Sequence, residues 1–214
     1  MTAGRLIVWR HGRTEWNLQD KIQGQADIPL DDVGLAQARA AAARLASLAP
    51  TRLFSSDLKR AAATAGELAA LTGLKVEYDE ALREINVDDW AGMTMEELAA
   101  LNPEAAARIR SGEPQRRGTA GETVEEVAAR FAPALQRAVE HAESSDTVVV
   151  ATHGLAARVG ICLFLGIPKP HWPAFGGLSN CNWVSLLPGR SGWRIEEWNA
   201  GSLPEPVLSD DPQR

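Results

Sequence analysis

Two short strings hold the residues best suited to chemistry, Arg10-His11-Gly12 and Thr152-His153-Gly154. Each sets an imidazole before a glycine where an apolar run ends, Leu6-Ile7-Val8-Trp9 in one case and Thr147-Val148-Val149-Val150-Ala151 in the other. With an ordinary pKa of about 6.5, imidazole is largely a free base near neutrality, and so a candidate nucleophile or proton carrier. Around the first string Arg10, Arg13, Thr14 and Asn17 are donors suited to an anionic oxygen. A further cation, Arg60, falls in the first turn of a helix expected to follow Leu53-Phe54-Ser55, with Ser56 or Asp57 as its cap. Unpaired amides and the helix dipole favour an anion there too. The pattern points to a phosphate pocket.

The elements that must position these groups are those of an open α/β sheet, in which ligands bind outside the carboxyl ends of strands. The run 147–151 is β-branched without alternation, as expected of a central strand buried on both faces. If it neighbours the first strand, His11 and His153 meet. A helix is expected from Leu35, with Gly34 at its start, Ala38, Ala42, Leu45 and Leu48 as its apolar stripe and Pro50 closing it. The helix carrying Arg60 should run to about Leu71 and end at Thr72-Gly73, before a third strand at Lys75 to Tyr78. Thr123 and Glu126 form a capping box for a long helix with the stripe Val124, Val127, Phe131, Leu135 and Val139. Another helix begins at Leu155, and Asn182 to Leu187 with Trp193 to Trp198 reads as a hairpin.

Two stretches break this regularity. Ile22 to Leu30 has turn formers and no helical period, so it reads as an ordered loop able to cover the site. Between Asp79 and Gly121 the pattern becomes an excursion over about 85–121. Leu82-Arg83-Glu84 opens it, short helices follow at Met95 to Leu101 and Glu104 to Arg110, and Ser111 to Gly118 is a basic, exposed segment.

Composition bounds the partners. A length of 214 residues with 45% apolar and 23% charged residues fits one soluble domain over 1–214, and the net charge of −6 disfavours nucleic acid or an anionic membrane as a partner. Met1 to Val8 is too short for a signal sequence and Ile161 to Ile167 too short to span a bilayer, so a cytoplasmic location is expected. Cys162 and Cys181 make no disulfide framework, and His11, His141, His153 and His171 show no metal-ligand spacing, so neither metal nor cofactor is expected. The tail from Ser202 should be loosely ordered.

Arg10-His11-Gly12 with Thr14 and Asn17, Ser55-Ser56 with Arg60-Ala61 and Thr64-Ala65, Glu84, Gly121-Glu122-Thr123 and His153-Gly154 occur in this order across nearly the whole chain. Together they resemble the histidine phosphatase superfamily, also called phosphoglycerate mutase-like. The resemblance implies a three-layer α/β/α sandwich with a mostly parallel central sheet, and a phosphohistidine intermediate. It makes His11 the nucleophile, gives Arg10, Arg60 and His153 the phosphoryl oxygens with Asn17 assisting, and makes Glu84 the acid and then the base. A finer likeness, in Gln23-Gly24-Gln25, Ser56-Asp57-Leu58, Trp172 to Gly177 and Trp198-Asn199-Ala200, is to actinobacterial glucosyl-3-phosphoglycerate phosphatases. It implies a small sugar-acid phosphate as substrate and a homodimer, and adds Gln23 and Gly24 to Arg13, Thr14 and Asn17 on the substrate side.

Departures from the pattern are Asp88, where glycine is frequent, and Arg13, where Glu or Gln is common. The first bears on the loop carrying Glu84, and the second adds a cation suited to a second negative group. Arg116-Arg117 reads either as a solvated pair or as the counterpart of a substrate-holding pair in mutases, and Trp172 either as packing or as a sugar platform. The alternatives in function are a broad-specificity phosphatase, a bisphosphoglycerate-dependent mutase and, from another class, a non-catalytic phospholigand-binding protein.

Overall fold

A computed structural model describes residues 3–201, so the tail from Ser202 lies outside the described residues. Strands β1 (Arg5–Arg10), β2 (Arg52–Ser55), β3 (Val76–Tyr78), β4 (Thr147–Thr152), β5 (Trp183–Gly189) and β6 (Gly192–Ala200) form one sheet in the order β3-β2-β4-β1-β5-β6. The first four in that order are mutually parallel, and β5 and β6 add an antiparallel hairpin beyond β1. The expected mostly parallel α/β/α arrangement is what is found, and β1 and β4 are neighbours with Arg10 opposite Thr152.

Strand alternation divides the apolar residues between two cores. Leu6, Val8, Val148 and Val150 pack on one face with helices α6 (Val124–Val139) and α7 (Gly154–Phe164). Ile7, Trp9, Val149 and Ala151 face the other way, against α2 (Asp32–Ala46) and α3 (Lys59–Thr72). Each fully buried aliphatic side chain contributes about 1.5–3 kcal/mol, and β1 and β4 have them on both sides. The strands that carry the two histidines are therefore the best-held part of the sheet. Cys162 and Cys181 are buried free thiols within these cores.

Several helix starts differ from the expected ones. The helix α2 begins at Asp32, because Asp31 caps it by accepting the Gly34 amide at 2.7 Å. Gly34 thus lies inside the first turn. Its reason for being glycine is contact: a Cβ there would sit 2.0 Å from the Arg13 carbonyl oxygen, and one on Gly12 would sit 2.3 Å from the Gly34 oxygen. The loop after β1 rests directly on the backbone of α2. Neither Ser56 nor Asp57 caps α3; Leu58 occupies the N-cap position and offers no acceptor. The missing acceptor comes from the 22–30 loop, where Asp27 Oδ1 takes the Lys59 amide at 2.7 Å.

The excursion contains the two expected short helices, α4 (Met95–Leu101) and α5 (Pro103–Arg110), with α1 (Glu15–Leu18) a single turn after β1. Asp88 has φ 48°, a left-handed conformation that aspartate tolerates better than most residues, which accounts for the glycine frequent there. Its carboxylate accepts the Ala120 amide at 2.8 Å and ties the two ends of the excursion together. Ser111 to Pro114 is exposed as expected, but Arg117 is half-buried.

Gly34→Ala should destabilise the protein by about 1–3 kcal/mol, since backbone must move to admit the methyl group. Gly66→Ala is in the middle of α3, where an added Cβ meets nothing within 4 Å, and should stabilise by roughly 0.5–1 kcal/mol. Urea midpoints measured at unchanged slope check both signs.

Candidate active site

The hydrogen-bond ladder of the sheet continues past the strand ends. The His11 amide donates to the Thr152 carbonyl and the Ser56 amide to the Ala151 carbonyl, each at 2.9 Å. Residues following β1, β2 and β4 are thereby aligned in a row, and the rings of His11 and His153 stand 5.2 Å apart, centroid to centroid. The His11 carbonyl accepts from the Cys181 amide and from Asn180 Nδ2, both at 3.1 Å, so the backbone of the first histidine is clamped from two sides.

The state of the His11 ring follows from its partner. Nδ1 lies 2.7 Å from the Gly12 carbonyl oxygen, which can only accept, so Nδ1 carries the proton and Nε2 keeps its lone pair. Burial, reinforced by the charges of Arg60 and Arg10, holds the His11 pKa well below 6.5. Burial and the same cations together with His11 do likewise for His153. Both imidazoles are neutral bases in the folded protein. His153 Nε2 is 2.8 Å from Ser56 Oγ, while its Nδ1 is buried with no hydrogen-bond partner among the described residues.

Arg10 and Arg60 are 2% and 1% exposed. Burial draws both guanidinium pKa values down to about 10, with Glu84 opposing the shift in each case, and both remain cations at neutrality. Backbone carbonyls solvate them: Leu178 accepts from Arg10, and Gly24 and Ala26 accept from Arg60 Nη2 and Nη1 at 2.7 Å each. Gly24 presents its carbonyl from φ 52°, and a Cβ there would meet Val87 at 2.3 Å. Gly154 leaves Arg10 room against the first turn of α7, its absent Cβ lying 3.4 Å from Arg10 Cζ. The buried Nε of Arg60 has no partner among the described residues and is a donor available to an anion.

Glu84 stands across from these cations. Its Oε1 accepts from the amides of Ile85 and Ala156 at 2.9 Å and its Oε2 from that of Leu155 at 3.1 Å, so the carboxylate sits on the N-terminus of the helix that His153 begins. One acid and two imidazoles are assembled from three separate chain segments.

The residues expected on the substrate side divide. Thr14 and Asn17 are buried and cap α1 reciprocally, Thr14 Oγ1 receiving the Asn17 amide at 3.1 Å. Gln23 is 9% exposed with Oε1 unpartnered among the described residues. Arg13 instead binds Asp31, Nε to Oδ2 at 2.8 Å, and so does not offer its charge freely to a ligand. Arg116 contacts the Gly121 carbonyl and Glu126. Trp172 is buried, its Nε1 donating to the Ile167 carbonyl at 2.8 Å, which is the packing role and not the platform.

Sequence reasoning missed Asp27, Asn180 and Arg130 as supports of the site. Asp27 and Asn180 read as loop residues, and Arg130 as a polar position on an amphipathic helix; no local signal marks their long-range partners.

A neutral imidazole beside buried cations at the carboxyl end of a doubly flanked sheet defines a phosphoryl-transfer enzyme. The chain matches the histidine phosphatase superfamily (branch 1) over residues 6–201 and belongs to it. It is a phosphatase. A glucosyl-3-phosphoglycerate phosphatase of Mycolicibacterium vanbaalenii is 36% identical over 219 residues, covering 94% of this chain and 97% of its own. One from Mycobacterium tuberculosis is 37% identical over 218 residues with the same coverage. The solved structure of a mycobacterial glucosyl-3-phosphoglycerate phosphatase in complex with VO3 superposes with a TM-score of 0.85 at 38% identity, covering 92% of this chain and 99% of that one.

The pKa directions of the histidines make stability depend on pH. Below about pH 6.5 the unfolded chain takes up protons at His11 and His153 that the folded chain does not. Their contribution is complete above that pH and is lost as pH falls, by up to about 1.4 kcal/mol per pH unit for each imidazole. Thermal unfolding between pH 7 and 5.5 should show this loss, and His11→Asn should remove about half of it.

Proposed function

We propose that this enzyme hydrolyses glucosyl-3-phosphoglycerate, or a sugar-acid phosphate of the same kind, through a phosphohistidine on His11. The observation that carries the chemistry is the bare Nε2 of His11, fixed by the Nδ1 contact to Gly12 among buried cations. Support for the substrate comes from the relatives above, whose likeness runs nearly end to end in both chains.

In the first half-reaction His11 Nε2 attacks phosphorus, and the bond from phosphorus to the ester oxygen breaks. Arg10, Arg60 and His153 hold the non-bridging oxygens, where charge is stabilised by donors already in place. With the Ser56 hydroxyl donating a hydrogen bond to His153 Nε2, that nitrogen is the acceptor, and the buried Nδ1 carries the ring proton and donates toward the phosphoryl group. Glu84 gives its proton to the leaving alkoxide. In the second half a water attacks phosphorus, Glu84 removes its proton, and the phosphorus–nitrogen bond breaks to restore neutral His11. Asn17, Gln23 and Gly24 line the approach to these groups in this reading.

The substrate's glycerate carboxylate needs a second cation. Arg13 is engaged by Asp31, whereas Arg117 and Arg158 are near enough for the charge of one to act on the other, and neither is in an ion pair with a carboxylate among the described residues. Burial and then the charge of Arg158 bring the Arg117 pKa down to about 10. Arg158 is one turn along α7 from the amides that hold Glu84, and the Arg117 amide donates to the Glu122 carbonyl at 2.9 Å. We assign the carboxylate to this pair. A homodimer in the cytoplasm completes the proposal, on the strength of the resemblance; sedimentation of the full chain tests the dimer.

A phosphate-release comparison of glucosyl-3-phosphoglycerate, 3-phosphoglycerate, sugar phosphates and p-nitrophenyl phosphate tests the assignment. The first should give the highest kcat/KM, and His11→Ala should abolish turnover of all. A flat profile reduces the enzyme to a broad-specificity phosphatase, and rapid conversion of 3- to 2-phosphoglycerate makes it a mutase. Arg158→Met should lower kcat/KM roughly tenfold or more for the carboxylated esters, the loss of one charge-assisted contact, with p-nitrophenyl phosphate little affected.

A further inference from the structure

Arg130, in the second turn of α6, has all five guanidinium N–H groups engaged, three of them on the segment that carries Glu84. Nη1 donates to the carbonyls of Ala81 at 2.8 Å and Arg83 at 2.7 Å, and Nη2 to that of Glu84 at 2.8 Å. The other two bonds go to Glu122, Nε to Oε1 at 2.7 Å and Nη2 to Oε2 at 2.9 Å. Glu122 in turn grips the same segment one step further on. Its Oε2 accepts the Asn86 amide and its own amide donates to the Asn86 carbonyl, both at 2.8 Å.

Residues 81–86 are thereby held along their backbone by one guanidinium and one carboxylate. Thr152 Oγ1 adds a bond to the Leu82 carbonyl at 2.8 Å and Gln25 Nε2 one to the Glu84 carbonyl at 3.0 Å. This segment has no regular strand or α-helix of its own to fix it. Only a planar fork spanning several angstroms reaches carbonyls on both sides of Glu84 at once; an ammonium is a point donor with three N–H groups.

We propose that Arg130 is a positioning residue for the acid–base step, holding the Glu84 backbone so that its carboxyl group stays over the start of α7 and within reach of the departing and attacking oxygens. The inference rests on the reading of Glu84 as the acid and base. Arg130 touches no reacting atom; its charge is a minor contributor to the lowered His153 pKa, and its main effect falls on the steps in which Glu84 moves a proton.

An aryl ester separates those steps. The nitrophenolate of p-nitrophenyl phosphate departs without a proton, so phosphorylation of His11 does not need Glu84, whereas hydrolysis of the phosphohistidine by water does. In rapid-mixing experiments on the full chain, Arg130→Met should keep the wild-type burst of nitrophenolate but lose steady-state turnover on the order of 100-fold. Acid-labile phosphohistidine should accumulate, and Arg130→Lys should fall between wild type and Arg130→Met. Glu84→Gln, measured alongside, should show the same separation of phases.

If Glu84→Gln accumulates no phosphohistidine, the acid–base reading itself fails. If Glu84→Gln accumulates it but Arg130→Lys slows burst and turnover by one common factor, or slows neither, the positioning role is overturned. Should Arg130→Met not fold, Arg130→Lys and Glu122→Gln carry the test, the latter with the same separation of phases and a smaller loss.

Discussion

Positive charge withdrawn from water at the carboxyl end of the sheet is the constraint around which this protein is arranged. Arg10 and Arg60 are almost wholly buried, and an ionised group in that setting must be solvated by the protein itself. A direct carboxylate partner would solve the problem and cancel the charge. Arg60 is solvated by the Gly24 and Ala26 carbonyls instead, with Glu84 and Asp27 acting electrostatically. Carbonyl dipoles stabilise a guanidinium while leaving it a net cation, so attraction for a phosphoryl group survives burial. The loop 22–30 has no strand or α-helix, and its shape follows from this work: it presents two carbonyls to Arg60 and one carboxylate, that of Asp27, to the amide of Lys59.

The same charge sets the state of the histidines. Two imidazoles among buried guanidinium groups do not protonate near neutrality, so His11 is kept as a base by its surroundings and oriented by the Gly12 carbonyl. Negative charge acts on this cluster through Glu84, and on Arg60 through Asp27 as well. Glu84 is held by three amides, and the segment that carries it is clamped from α6.

What could be read from the chain was whatever depends on neighbouring residues. The apolar runs ending at His11 and His153, the capping box at Thr123 and the short helices of the excursion are local patterns, and all are present. Placing His11 beside His153 needed the strand-end rule and the condition that their strands be neighbours, which β1 and β4 are. Misreadings arose where a distant residue supplies what a near one was expected to. Ser56 and Asp57 looked like caps for α3, yet Ser56 serves His153, Asp57 pairs with Arg83, and Asp27 takes the helix amide. Arg13 looked like a free cation because Asp31, its partner, lies across a turn with no regular register. Gly34 looked like a helix start because its steric reason, the Arg13 carbonyl, belongs to another element.

This division separates chemistry from selectivity. Arg10, His11 and His153 stand at the ends of β1 and β4, whose side chains fill both cores, and Arg60 in the first turn of α3, so they tolerate little movement. The excursion packs Trp90, Leu98 and Ala105 into one of these cores, and the 169–174 segment meets α6 through Lys169 with Glu125. Arg117 belongs to the excursion and Arg158 to α7, so a ligand bridging them would link the excursion to the helix whose first amides hold Glu84. In the reading that gives Arg117 and Arg158 the carboxylate, a substrate with both a phosphate and a carboxylate would engage the strand ends and the excursion together, which a simple phosphate ester would not.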